Sequence, residues 1–372
     1  MVGRIVATLT PGFEKRDGLL IAAAAILYAG YLCLGHFSAG GQTPWHAQKL
    51  AASRLAQQGM AAVKAEKQVR GISIDRGADV NATGMIGVRY SGMTTTLGVL
   101  EAKRTSTQAD FAALAVDLLQ QCGAHPGDRI AVNLSGSFPA LAISVLSAAQ
   151  VMHLQPVVIA SLGASMWGAN DPDFTWLDMV QALHENTSIR TPMAAISLGG
   201  AGDVGADMDE DIRVRLRARI LASAAPFIEE TDFTKNIARR MALYLADGTP
   251  ACFVNIGGNL SSGGARGDYG ALRPGLIRSQ AQARTRTGGL IGAFLEKKVP
   301  VIHLLDMKAL ALTAGLPYDP VPLPEPGSSA IFSERHYKRA YMAALLAVAA
   351  AFLAAYVWLG RPRRAQFQNR GL

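Results

Sequence analysis

Charge is what this 372-residue chain has little of: 17% of its residues are Asp, Glu, Lys or Arg, against about 25% in an ordinary soluble domain. Half of the residues are hydrophobic, which excludes a disordered chain, since disorder goes with low hydrophobicity. Three cysteines are too few for a disulfide-stapled scaffold. The 38 glycines follow no three-residue period, which excludes collagen. Seven histidines include no HExxH or similar pair, so zinc is not expected. Aromatics are sparse at 7%.

The positive charge sits at the ends. Residues 1–17 carry a net +1 and residues 338–372 a net +6 with no acid, leaving +1 of the total +8 for residues 18–337. The middle of the chain is therefore close to neutral. The isoelectric point near 9.5 belongs to the tails, and nucleic acid is not an expected partner.

A mean hydropathy of +0.19 goes with two apolar runs. Residues 18–35 are GLLIAAAAILYAGYLCLG and residues 340–360 are AYMAALLAVAAAFLAAYVWLG. A helix crossing ~30 Å of hydrocarbon needs roughly 20 apolar residues. Both runs are expected to be transmembrane helices, spanning 18–35 and 338–360. A cleavable signal peptide ending at Gly40 is the competing reading of the first. Tyr28, Tyr31, Tyr356 and Trp358 suit the interfaces. Four arginines make 361–372 a basic cytoplasmic tail, and 1–17 follows it to that side. Lys338 and Arg339, at the outer end of the second span, oppose this orientation mildly. Residues 36–337 are then extracytoplasmic.

Within that domain, residues 36–70 form a helical lead-in, and 109–122 a further helix. Short apolar strands at 130–134, 156–162, 193–198, 251–256 and 299–305 alternate with helices at 139–151, 175–184, 211–225, 233–246 and 288–297. Continuous apolar strands are those covered on both faces. The alternation predicts an α/β fold, a mostly parallel sheet with flanking helices. Residues 316–327, LPYDPVPLPEPG, hold five prolines and read as an extended connector back toward the membrane. Cys33 lies in the first apolar run. Cys122 and Cys252 are expected as free thiols, with a bridge left open in an oxidising compartment.

Two strand ends resemble each other. One continues into Ser135-Gly136-Ser137, the other into Gly257-Gly258-Asn259. Ligands of open α/β sheets bind outside the carboxyl ends of strands, so these six residues form a candidate pocket for a carboxylate or phosphate; ordinary βα turns are the alternative. Neither loop is a Walker loop or a GxGxxG. Ser135 or Ser137 as a nucleophile, with His303 and Asp306 as base and orienting acid, is the hydrolase alternative. Ser-Gly-Ser-Phe-Pro, however, is not the G-x-S-x-G of a nucleophile elbow, and Ser137 also reads as a helix cap. Asp171 and Asp173, with Asp178, and Asp203 in a second acidic cluster are weak candidates for a hard cation. Lys103-Arg104 and the alternating Arg213, Arg215, Arg217 and Arg219 are local basic patches for an acidic polymer or, on the plainer reading, solvated faces.

Six stretches in order resemble a known family: TGMIGVRYSGMTTTLGVLEAKRTSTQADFAALAVDLL from Thr83, GDRIAVNLSGSFPAL from Gly127, PVVIASLGASMWGANDPDFTWLDM from Pro156, SLGGAGDVG from Ser197, FVNIGGN from Phe253 and GLPYDPVPLPEPG from Gly315. They are similar to the poly-gamma-glutamate system protein family (PgsW-like), across most of residues 36–337. The resemblance implies a bacterial protein of the cytoplasmic membrane that accompanies the machinery making and exporting poly-γ-glutamate. That machinery includes an ATP-dependent ligase and a membrane subunit. This chain has no ligase nucleotide loop, so the expectation is an accessory component in the cell envelope, serving capsule biosynthesis, without a cofactor. Its implied partners are the synthase and export subunits and the emerging anionic polymer. An envelope enzyme that hydrolyses or transfers the γ-glutamyl polymer is the alternative.

Overall fold

The computed structural model describes residues 15–33, 38–264, 272–283, 288–337 and 339–359. They fall into two units, Thr43–Phe332 and the paired ends of the chain, Met1–Gln42 with Ser333–Leu372. The elements in chain order begin with α1 (Lys15–Cys33), β1 (Ser38–Gln42), α2 (His46–Val69), β2 (Thr94–Thr96), α3 (Leu100–Thr105) and α4 (Phe111–Gln121). There follow β3 (Arg129–Ser135), α5 (Pro139–Val151), β4 (Gln155–Ser161), β5 (Ala164–Ser165), α6 (Trp176–Asn186), β6 (Met193–Ser197), α7 (Glu210–Ala222) and β7 (Phe227–Ile228). The remainder are α8 (Phe233–Leu245), β8 (Cys252–Ile256), α9 (Leu260–Gly263), β9 (Gly275–Ile277), α10 (Gln280–Ala283), α11 (Leu290–Glu296), β10 (Val301–Leu304), α12 (Met307–Ala314), β11 (Ser333–Tyr337) and α13 (Arg339–Leu359).

The Thr43–Phe332 unit is built on a seven-stranded sheet of order β7-β6-β4-β3-β8-β10-β9. Every neighbouring pair is parallel except the edge pair β10–β9. Alternate residues feed two cores. Ile130, Val132 and Leu134 pack into one with Val254, Ile302 and helices α2, α4 and α5. Ala131, Ile159, Phe253 and Val301 pack into the other with Tyr244 of α8 and Phe294 of α11. Burial on both faces is why the strands are continuous apolar runs. The sheet is thus the expected α/β fold, mostly parallel and flanked by helices. Helix α5 is buried at nearly every position, because α2 and α4 cover the side away from the sheet. Gly59 lets α2 approach α5: a Cβ there would stand 2.8 Å from Ile143 Cγ2.

The five expected strands and the helices between them all form, with ends shifted by a few residues. Helix α7 stops at Ala222 rather than at 225, since Pro226 disfavours helix in the residues before it. No local pattern announces the edge strands β7 and β9, helix α12 or the two-stranded β2–β5 ladder. Residues 316–327 are non-helical and lie along their own unit as a strap. Gln108 Nε2 donates to Pro317 O at 2.9 Å, Asn81 Nδ2 to Pro320 O at 2.9 Å, and Arg104 grips Asp319 through two nitrogens.

In the other unit β1 and β11 pair antiparallel, Ser38 opposite Tyr337 through Gln42 opposite Ser333. Beside them, Tyr341 Oη of α13 donates to Gly30 O of α1 at 2.8 Å. Among the described residues one helix is long and apolar enough to cross a membrane, Ala340–Trp358, with a mean hydropathy of 2.1. Helix α1 holds a shorter apolar stretch, Leu20–Leu32. The end of the expected first span, residues 34–35, lies outside the described residues, as do the tails 1–14 and 360–372.

Candidate functional site

Strand order places one crevice above all others. From β3 the chain steps outward through β4, β6 and β7, then returns to lay β8 against the other side of β3. The turns after β3 and β8 are therefore the topological switch point, where open α/β sheets bind ligands. A cleft of about 530 Å³ opens there, lined by Ser135, Ser137, Gly258 and Asn259 from these turns. Thr95, Lys103, Ser161, Ser165, Gly200 and Asp207 complete much of its wall. Of the six residues expected here, four line the cleft; Gly136 and Gly257 shape the turns behind it. Gly257 has φ +80, and a Cβ would meet Ser135 Oγ at 2.5 Å, so glycine is required for both conformation and space.

The serines of the first turn have structural duties. Ser137 does not cap α5, whose N-cap is Phe138 with no side-chain hydrogen bond. Its Oγ instead accepts the Ser165 N–H at 3.0 Å, tying the β3 turn to β5. On the β8 side, Asn259 Oδ1 caps α9 by accepting from Ser262 N at 3.0 Å, and also accepts from Asn133 Nδ2 at 2.9 Å. Among the described residues Asn259 Nδ2 has no partner, although the residue is only 6% exposed. A buried donor without an acceptor costs free energy that an incoming ligand recovers.

Lys103 and Arg104 part company. Arg104 turns to Asp319 on the strap and takes no part in the cleft. Lys103 is 2% exposed and reaches in, its Nζ donating to Ser137 O and, at 2.6 Å, to Ser165 Oγ. The Phe138 ring lies 3.8 Å away. Burial lowers the pKa of the ammonium from 10.5 to about 7, because desolvation disfavours the charged form. It is the one cation lining the cleft among the described residues, and Asp207 the one acid.

His303 and Asp306 do not complete a triad. His303 sits on β10 with Nδ1 3.0 Å from Asn255 Nδ2, and burial holds its imidazole at about 4. Asp306 caps α12 by accepting from Ala309 N at 3.0 Å. Neither lines the cleft.

The acidic candidates are likewise in use. Asp171 accepts the Asp173 N–H at 2.9 Å, and Asp173 pairs with Arg215. Asp178 is held by Arg70 and Arg219, each at 2.7 Å. Arg213 and Arg217 pair with Glu210 and Glu229, so the alternating arginines are a partnered face. Asp203 is buried against Arg240 Nη2 at 2.6 Å. Among the described residues no group of three or more His, Cys, Asp or Glu is placed to hold a metal ion.

The Asp203–Arg240 pair forms a polar floor. Arg240, fully buried on α8, also donates to Asn236 Oδ1 at 2.9 Å, Asn133 Oδ1 at 2.8 Å and Ser197 Oγ at 2.8 Å. Asn236 Nδ2 and Ser197 Oγ donate in turn to Asp203. Asp203 has φ +64 in a loop where Gly199, Gly200, Gly202 and Gly205 are also left-handed. Gly200 to Gly205 spells GxGxxG, but α7 begins only at Glu210 and the Asp203 carboxylate of the loop is taken by Ser197, Asn236 and Arg240. A dinucleotide pyrophosphate needs that loop to open a helix, so the match is one of letters.

Asp207 stood only in the acidic cluster around Asp203, and Ser161, Ser165 and Arg240 carried no sequence signal strong enough to select them. The nearest was Gly163-Ala164-Ser165, the first half of a nucleophile elbow, with its closing glycine one residue late at Gly168. The family models, the curated proteins and the solved structures compared with the chain gave no match.

Proposed function

We propose that the chain is a membrane-anchored accessory component of bacterial poly-γ-glutamate synthesis and export, whose strand-end cleft engages a segment of the γ-glutamyl polymer. In this reading α1 and α13 both cross the cytoplasmic membrane, both termini are cytoplasmic, and Thr43–Phe332 is extracytoplasmic. The apolar Ala340–Trp358 helix and the ordered resemblance of six stretches support it. The observation that carries the ligand is Asn259, which lines the switch-point cleft and whose buried Nδ2 has no partner among the described residues. Each repeat of the polymer offers a carboxylate and an amide carbonyl as acceptors. The near-neutral domain does not attract polyanions at long range, so recognition is local to the cleft.

Calorimetry with a short γ-glutamyl oligomer and the full chain in mild detergent tests this. Asn259→Asp keeps the Oδ1 cap but removes the donor and adds repulsion, and is expected to weaken binding by roughly 10–100-fold. Equal binding by the variant, or no binding by the parent, contradicts the assignment. Co-purification from the native host tests the assembly role: recovery of a ligase and its membrane subunit is expected, and recovery alone argues against it.

The enzyme reading is favoured by a separate observation, the Lys103–Ser165 contact.

A further inference from the structure

We propose that Ser165 is a nucleophile and Lys103 its general base, so that the cleft performs acyl transfer on an amide bond. The substrate class rests on the γ-glutamyl reading above; the nucleophile does not. Lys103 Nζ lies 2.6 Å from Ser165 Oγ inside the cleft, within the reach a base needs. The lysine is in no ion pair among the described residues, and its only ionisable neighbour on the cleft wall is Asp207. That carboxylate accepts the Ala201 N–H at 2.8 Å. On α3 itself Arg104 is taken by Asp319 and Glu101 faces solvent. A buried amine with no counter-ion is neutral in part near neutrality, and neutral amine is the form that accepts a proton.

The backbone of Ser165 is fixed. Its N–H goes to Ser137 Oγ at 3.0 Å, its carbonyl accepts from Gly168 N at 3.0 Å, and Met166 N is held by Thr96 O at 3.0 Å. Trp167 turns the chain sharply behind it at φ +57. The hydroxyl is left to the cleft and to Lys103. Ser137, by contrast, spends its oxygen on that N–H. In the reaction, Ser165 Oγ attacks the amide carbonyl carbon while Lys103 takes the hydroxyl proton. The C–N bond breaks, the leaving amine takes that proton from the Lys103 ammonium, and the acyl group remains as the Ser165 ester. Water, activated by Lys103, then attacks the ester carbonyl and restores the serine.

Labelling of the full-length protein in detergent with a fluorophosphonate, mapped by mass spectrometry, tests the hydroxyl independently of substrate. Ser165 is expected to be modified, faster as pH rises through about 7. Lys103→Met, which keeps the side-chain shape, is expected to slow labelling by roughly 100-fold or more while unfolding no more easily than the parent. Ser165→Ala abolishes it. Modification elsewhere, no modification, or unchanged labelling in Lys103→Met overturns the proposal. The same samples are then given a γ-glutamyl oligomer. Cleavage lost in Ser165→Ala supports both readings. Modified Ser165 with no cleavage upholds the nucleophile and overturns the polymer as its substrate.

Discussion

Two cations are buried near the carboxyl edge of the same sheet, and the chain treats them in opposite ways. Arg240 makes four hydrogen bonds to side chains that lie up to 107 residues away and faces a carboxylate at 2.6 Å. Lys103 has two oxygens and an aromatic face, no paired acid among the described residues, and a cleft beside it. A buried charge that is paired and hydrogen-bonded belongs to the scaffold; one left unpaired beside an opening has been kept at a cost. The difference separates the floor of the site from its working part.

The same substitution at the two positions should therefore act in opposite directions. Arg240→Met strands the Asp203 carboxylate among apolar neighbours and is expected to destabilise the Thr43–Phe332 unit by about 3–5 kcal/mol, read from urea unfolding by the emission of buried Trp176. A loss below about 1 kcal/mol breaks the comparison.

His303 is buried on β10 as well, and its imidazole can lose its proton where the Arg240 guanidinium does not. Its imidazole is held neutral down to about 4 by burial, so the unfolded chain binds the extra proton first. Stability from this group is fully present above the unfolded value of 6.5 and is lost as pH falls toward about 4. The expected loss is on the order of 3 kcal/mol, and a variant without the imidazole should lack this part of the acid slope.

Lys103→Met is expected to stabilise by about 1–4 kcal/mol at neutral pH, because a desolvated, unpaired ammonium is removed. The folded-state value near 7 lies below the unfolded 10.5, so the parent gains stability as pH rises between them. The advantage of the variant should shrink across that window. Destabilisation by Lys103→Met places the lysine in the scaffold with Arg240.

What the sequence made legible follows the range of the interactions. Strands β3, β4, β6, β8 and β10 and helix α5 were readable because burial on both faces leaves an unbroken local apolar signature. Ser135-Gly136-Ser137 and Gly257-Gly258-Asn259 were readable as turns of one site because they end similar strands. The floor was not: Asp203 and Arg240 are 37 residues apart, and their meeting depends on strand order. In the sequence Lys103 and Arg104 are one basic patch for an acidic ligand, and only Lys103 lines the cleft. Nothing local distinguishes a lysine that turns inward from an arginine that turns to a proline-rich strap 215 residues on. The spacing of Ser137 suits a helix cap, whereas its oxygen serves the Ser165 N–H across 28 residues. The β1–β11 pairing joins two short polar strands at opposite ends of the chain, with no hydrophobic pattern to announce it.

Lys103 is a buried amine in the switch-point cleft with no paired acid among the described residues. The most direct test is a pH titration of the Lys103 side chain by NMR, with carbon-13-labelled lysine in the full chain and Lys103→Met for assignment. A midpoint near 7 is expected; a midpoint close to the unperturbed 10.5 places the ammonium in water or beside a counter-ion.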